Sequence, residues 1–297
     1  MKELRKIIVV ISAVIIIFSA ISFFSIEKGY VKKIGKQFYK QYKMVSIDDC
    51  KLAVRDYGKG KPIIIIESGL ACTKDMYLTL QYDLLKKYRV ISYDHAGIGD
   101  STPSEHPRTL PYYVGELRQM LRKEHAEPPY ILIGHSLGGH IIRYYAYLYP
   151  DEVLGLVFID HPHEDWFEYI RDNWTKDENE EYFKFWTKDN LYYKGTAQQE
   201  LLSYEENCNM IKGIKIPLNT PALMFTGYNF PHFRKNDIEK EREDMNAWVK
   251  MQFSIIKDLA KKKQIVDWDA GHYFHNDKPE LVYTEISKFV DGIITHK

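Results

Sequence analysis

Tyr130-Ile131-Leu132-Ile133-Gly134-His135-Ser136-Leu137-Gly138-Gly139 is the stretch from which the fold can be read. Tyr130 to Ile133 has the composition of a short strand buried on both faces. Leu137 to Tyr149 follows with helical spacing of its apolar side chains and is stopped by Pro150. Between the two lies G-x-S-x-G, Gly134 to Gly138. A strand that turns sharply into a helix at a serine lifts the hydroxyl above the sheet, and the flanking glycines leave room for the backbone to pack at that turn. The helix beginning at Leu137 aims N–H groups and its positive dipole end at the space beside that hydroxyl, where a developing oxyanion would be stabilised. Ser136 is therefore the candidate nucleophile.

Working outward, the same alternation repeats. Pro62–Glu67 is a run of four isoleucines, the pattern of a buried strand. Tyr88–Asp94, Val153–Asp160, Ala222–Gly227 and Gln264–Trp268 read as further strands, and Lys74–Lys87, Thr109–Ala126, Asn236–Lys261 and Pro279–Val290 as helices. Strand alternating with helix predicts a mostly parallel sheet with helices on both faces, an α/β fold. Lys43–Ile47 and Leu52–Tyr57 are predicted to pair as a hairpin across Asp48 and Asp49. One stretch breaks the rhythm, a long insert between Asp160 and Thr220 rich in charge and in Trp, Tyr and Phe. A structureless loop of that length has no place in a compact domain. The insert is expected to be a small helical cap over the C-terminal edge of the sheet, most of its aromatics packing it onto the body and a few lining a pocket.

The remaining features bound the function. Lys+Arg and Asp+Glu are both 41 in 297 residues, so net charge gives no support for a nucleic-acid partner. Cys50, Cys72 and Cys208 have neither zinc nor disulfide spacing and are read as small core or surface thiols. Ile7–Ile26 is an almost unbroken apolar run behind Lys2, Arg5 and Lys6. About 20 such residues suffice to cross a bilayer. Residues 1–27 are expected to be an N-terminal transmembrane anchor rather than a cleaved signal segment, since the run lacks a small-x-small exit. The positive-inside rule places the catalytic domain outside the cytoplasm, although Lys28, Lys32 and Lys33 beyond the run weigh against that orientation. Cleavage and secretion is the alternative.

From about Val45 to the C-terminus the chain resembles the α/β-hydrolase superfamily, in particular its cap-bearing serine esterase-like members. The resemblance rests on the G-x-S-x-G turn, on Glu67-Ser68-Gly69-Leu70, which is similar to the loop after that fold's third strand, and on Asp94-His95-Ala96-Gly97-Ile98-Gly99-Asp100-Ser101, similar to its structural D-x-x-G-x-G-x-S turn. It implies an α/β-hydrolase core over residues 45–160 and 221–297, a helical cap over 161–220 and a linker over 28–44. It implies that the backbone N–H groups of Leu70 and Leu137 form an oxyanion hole, each donor contributing roughly 3 kcal/mol to the transition state. It places the general base on His272 of Gly271-His272-Tyr273-Phe274-His275, with His275 a supporting or surface histidine. The superfamily's commonest acid position, after Met224-Phe225-Thr226-Gly227, carries no carboxylate here. The acid one strand earlier is Asp160, and it is preferred to Asp237, which falls at a helix start. The order Ser136, Asp160, His272 fits the superfamily's order.

Together these imply acyl transfer on a small ester-like substrate with an apolar group, a carboxylic ester or else an amide or thioester, through Ser136 and without a cofactor. The serine argues against halide or epoxide chemistry, where the superfamily uses an aspartate. His161, His163, Glu164 and Asp165 form a cluster too thin in ligand spacing to read as a metal site. Competing readings are an aminopeptidase, a carbon–carbon hydrolase or an acyltransferase on the same machinery, and a non-catalytic, membrane-tethered binding module.

Overall fold

The computed structural model describes residues 41–229 and 237–295. The chain divides into two units, residues 1–41 and 42–297, and the fold described below is that of the second. The predicted transmembrane run Ile7–Ile26 lies outside the described residues. Among the described residues no helix is long and apolar enough to cross a membrane.

Eight strands form one sheet: β1 (Lys43–Ser46), β2 (Lys51–Tyr57), β3 (Ile63–Glu67), β4 (Arg89–Tyr93), β5 (Tyr130–His135), β6 (Val153–Ile159), β7 (Ala222–Gly227) and β8 (Lys262–Asp267). Their order across the sheet is β1-β2-β4-β3-β5-β6-β7-β8. β1 and β2 pair antiparallel as the expected hairpin, β2 joins β4 antiparallel, and every later pairing is parallel. The helices are α1 (Leu78–Leu84), α2 (Leu110–Lys123), α3 (Leu137–Leu148), α4 (Trp166–Asn173), α5 (Lys176–Lys184), α6 (Thr196–Leu202), α7 (Tyr204–Ile211), α8 (Ile238–Ile256), α9 (Phe274–Asp277) and α10 (Pro279–Ile294).

The isoleucine run shows why the sheet sits in the middle. Side chains alternate along a strand, so Ile63 and Ile65 enter a core with α2 and α3, while Ile64 and Ile66 enter a second core with α1 and α10. All four are buried, each stabilising the fold by about 1.5–3 kcal/mol relative to exposure. A strand bearing a charge within this run would lose one of the two layers. The insert between β6 and β7 carries four helices, α4 to α7. The predicted helix Lys74–Lys87 is instead a 3₁₀ turn, Lys74–Tyr77, leading into the short α1. Asp94 explains the difference: its Oδ1 accepts the Lys74 N–H at 2.6 Å and its Oδ2 accepts the Lys74 ammonium at 2.9 Å, pulling the first turn tight against the β4 loop.

Candidate active site

The parallel strands end at one edge, and the turns there carry Ser136, Asp160 and His272. Ser136 has φ 52° and ψ −119° between β5 and α3, a conformation few side chains adopt. Neighbouring glycines make it possible. A methyl group on Gly134 would lie 2.5 Å from the Gly138 carbonyl oxygen, and one on Gly138 would strike the Glu67 carbonyl. Leu137 opens α3, so its N–H belongs to the first helical turn, which has no intrahelical acceptor.

Asp160 follows β6 directly, fully buried, with φ 42°; aspartate is one of the few residues that tolerates this region. Its N–H continues the sheet by donating to the Phe225 carbonyl at 2.8 Å. Its two carboxylate oxygens have separate duties. Oδ2 lies 2.7 Å from His272 Nδ1. Oδ1 accepts from the Gly227 N–H at 3.1 Å, Trp248 Nε1 at 3.1 Å and Gln252 Nε2 at 3.0 Å. Trp248 and Gln252 stand one turn apart on α8 and so face the carboxylate together. Asp237, the other acid considered, caps α8, its Oδ1 accepting the Lys240 N–H at 3.1 Å.

His272 follows a loop tied at both ends. Asp267 Oδ1 accepts from the Asp269 and Ala270 N–H groups, and Asp277 Oδ2 accepts from the Gly271 N–H at 2.8 Å. A chain of hydrogen bonds then joins three turns of the site. The Gly69 N–H donates to the Tyr77 hydroxyl at 2.9 Å, and that hydroxyl meets His135 Nδ1 at 2.8 Å. His135 Nε2 meets the His272 carbonyl at 2.9 Å. A carbonyl only accepts, so His135 carries its proton on Nε2 and takes the Tyr77 proton at Nδ1. Burial, and then the neighbouring His272 and His275, push the His135 pKa well below the usual histidine range, keeping the ring neutral for this duty. The histidine inside G-H-S-L-G is thus a clasp between elements.

His275, read from sequence as supporting or surface, is buried and stacked on the Tyr77 ring at 4.8 Å, which removes the surface option. The cluster after β6 is also taken up by structure. His161 Nδ1 donates to the Ser136 carbonyl at 3.0 Å. Arg143 grips Glu164 through two hydrogen bonds at 2.6 and 3.0 Å. Burial alone would raise that carboxyl, but Arg143 holds its pKa down, to about 2. His163 borders the cavity described next.

Leu70, Ser136 and His272 open onto one cavity of about 320 Å³, roofed by the insert and floored by α8. Of the insert's aromatics, all but Tyr169, Phe183 and Tyr192 border it, more than sequence reading expected. The reason is their mutual packing. Phe167 stands edge-on to Tyr182 and Trp186 at 6.1 and 4.8 Å between centroids, a preferred aromatic geometry. This shell encloses the cavity instead of filling it. Sequence reading missed Tyr77, Trp248 and Gln252, because a single side chain that bonds across the fold, from a turn or from a helix, leaves no local pattern.

Residues 61–208 match the family model described as alpha/beta hydrolase fold. The chain is 25% identical over 248 residues to the uncharacterized protein YqjL of Bacillus subtilis, covering 82% of this chain and 90% of that one. Among solved structures, a thermophilic esterase from Thermogutta terrifontis superposes with a TM-score of 0.60 at 18% identity, over 85% of this chain and 99% of its own. Carboxylesterase CesB from Bacillus subtilis superposes with a TM-score of 0.57 at 18% identity, over 92% of this chain and 99% of its own. The chain belongs to the α/β-hydrolase superfamily.

Proposed function

We propose that this protein is a serine hydrolase that cleaves a carboxylic ester through an acyl-enzyme on Ser136. The observation that carries the reading is the hydrogen bond at 2.7 Å from buried Asp160 to His272, whose ring opens onto a cavity that Ser136, in its strained turn, also borders. Asp160 keeps the His272 proton on Nδ1, so Nε2 is the basic nitrogen. That nitrogen takes the Ser136 Oγ proton as the oxygen attacks the ester carbonyl. The Leu70 and Leu137 N–H groups receive the oxyanion, and His272 returns the proton to the departing alcohol. Water, deprotonated by the same nitrogen, then releases the acid and restores Ser136. No step calls for a cofactor.

The insert acts as a cap that sets substrate choice, and its aromatic lining favours an ester with an apolar acyl or alcohol group. A tether at Ile7–Ile26 would suit esters of lipid origin, and recovery of the full-length protein in washed membranes tests for it. The test of mechanism is labelling with a fluorescent fluorophosphonate, which reacts only with an activated serine. Labelling is expected for residues 28–297 and lost in Ser136→Ala. A wild type that does not label would leave the fold without this chemistry.

A further inference from the structure

The turn that carries Leu70 is held from the insert. The Cys72 N–H donates to the Gly69 carbonyl at 3.0 Å, closing a four-residue turn whose third residue, Ala71, has φ 55°. A positive φ at the third position marks a type II turn, which glycine favours and a side chain resists. Ala71 nevertheless sits there. Its N–H donates to Glu200 Oε2 at 2.7 Å.

Glu200 lies on α6, fully buried, and each of its oxygens has a partner. Oε1 accepts from the Tyr113 hydroxyl at 3.0 Å and lies 3.0 Å from His95 Nδ1. The other nitrogen of His95 lies 2.6 Å from Glu67 Oε1, and Glu67 is the last residue of β3, two positions before the turn begins. Both ring nitrogens thus face carboxylates, the environment of an imidazolium cation. One turn earlier on the same face of α6, Thr196 packs so closely on Gly97 that no Cβ fits there. Helix α6 is therefore seated on two loops of the body, with its carboxylate aimed at the central peptide of the Leu70–Ala71 turn.

We propose that Glu200 is a positioning residue for the oxyanion-binding turn, making an insert helix part of the apparatus that stabilises the transition state. It rests on the serine-hydrolase reading above. The central peptide of a β-turn interconverts types I and II by flipping. Type I relieves the strain at Ala71, and the Glu200 carboxylate opposes that relief by receiving the Ala71 N–H. Released, the turn is free to rotate at Leu70 ψ and Ala71 φ, and the loop no longer holds the preceding Gly69–Leu70 peptide, whose N–H faces the oxyanion, in a fixed place. Ground-state binding in the aromatic cavity does not depend on this amide, so the effect falls on kcat and spares KM.

The test uses kcat and KM for an activated aryl ester with wild type, Glu200→Ala, and Glu200→Ala combined with Ala71→Gly. Loss of a whole oxyanion donor lowers kcat by roughly 10²–10³, so its displacement in Glu200→Ala is expected to lower kcat about 10–100-fold with KM within about threefold. Glycine is at ease with φ above zero, so Ala71→Gly is expected to restore kcat in the double variant to within about fivefold of wild type. Rescue at the turn distinguishes positioning from a general role in folding. Where Glu200→Ala does not fold, Glu200→Gln with and without Ala71→Gly supplies the same comparison. An unchanged kcat in the Glu200 variant, a loss confined to KM, or a loss that Ala71→Gly does not restore would each overturn the inference. A wild type whose turnover survives Ser136→Ala overturns the hydrolase reading and this inference with it, whereas sensitivity to Ser136→Ala with indifference to Glu200→Ala overturns the inference alone.

Discussion

Asp160→Asn is the substitution whose consequence the geometry constrains most tightly. The native carboxylate accepts four hydrogen bonds: three donors on Oδ1 and His272 Nδ1 on Oδ2. Asparagine offers one oxygen and one NH₂ group. With the amide oxygen toward the Gly227, Trp248 and Gln252 donors, all three remain satisfied and the NH₂ group faces His272. The opposite orientation would set the NH₂ group against three donors, each buried group left unpaired costing about 1–3 kcal/mol, so the first orientation wins. An NH₂ group facing Nδ1 makes that nitrogen an acceptor and moves the imidazole proton to Nε2. The nitrogen that should take the Ser136 proton is then already protonated. A wrong tautomer of this kind lowers kcat by roughly 10⁴ in a serine protease triad, equivalent to about 5.4 kcal/mol at 1.36 kcal/mol per factor of ten. Stability should barely move, because the Oδ1 contacts persist. The assay is kcat on an activated aryl ester alongside urea denaturation, with Asp160→Ala as the contrast. Alanine abandons all three donors and should cost several kcal/mol of stability as well as activity. An Asp160→Asn enzyme within tenfold of wild-type kcat would refute the tautomer argument and the role assigned to Asp160.

Further outcomes follow from the bracing contacts. Gln252→Met removes one donor to Asp160 from a residue that does not border the cavity, so kcat should fall about tenfold with KM unchanged, as read from initial rates. Tyr77→Phe breaks the link between Gly69 and His135 and should cost about 1–3 kcal/mol in urea denaturation together with a loss of kcat. Trp186→Ala enlarges the cavity and should shift preference toward longer acyl chains, measured across a series of p-nitrophenyl esters. For His95, burial opposes the charge, but the hydrogen bonds its ring donates to Glu200 and Glu67 carry its pKa to about 10. A histidine raised in the folded state contributes stability that is whole below the unfolded pKa of about 6.5 and is lost as pH rises through the folded value. Melting temperature should therefore decline between about pH 7 and 10, and less steeply in His95→Asn; equal slopes would contradict this assignment.

Much of the fold was legible because strands buried on both faces leave continuous apolar runs. Ile63–Ile66 and Tyr130–Ile133 fall within their observed strands, and the hairpin at the N-terminal edge of the sheet pairs as its turn residues suggested. Boundaries drifted where tertiary contacts overrode local preference. The last strand begins at Lys262, two residues before the apolar pattern does, because Lys262 and Lys263 pair with Ala222 and Leu223 at the sheet edge while their side chains remain in solvent. Edge strands tolerate such charges, so hydropathy alone starts them late.

The site divides along the same line. Ser136 and the carboxylate after β6, the groups proposed to react, could be picked out from sequence because each sits at a place the chain defines locally, a strand end followed by a turn. What braces them could not. Trp248 and Gln252 reach Asp160 across 88 and 92 residues, Tyr77 reaches His135 across 58, and Glu200 reaches Ala71 across 129. None stands in a motif, since nothing in its own neighbourhood requires it. Reacting groups held only by their own turns would be free to change rotamer or flip a peptide, and each such change is cheap beside the transition-state stabilisation that depends on a fixed geometry. The insert braces these turns as much as the sheet does. Asn207 on α7 receives the Leu110 N–H at the start of α2 and donates to the Arg108 carbonyl, and Glu200 on α6 receives the N–H of Ala71. An insert whose buried amide and carboxylate complete the hydrogen bonding of body loops is bound into the body, and under the proposed function its aromatic cavity would hold a substrate in register with Ser136 instead of merely covering it.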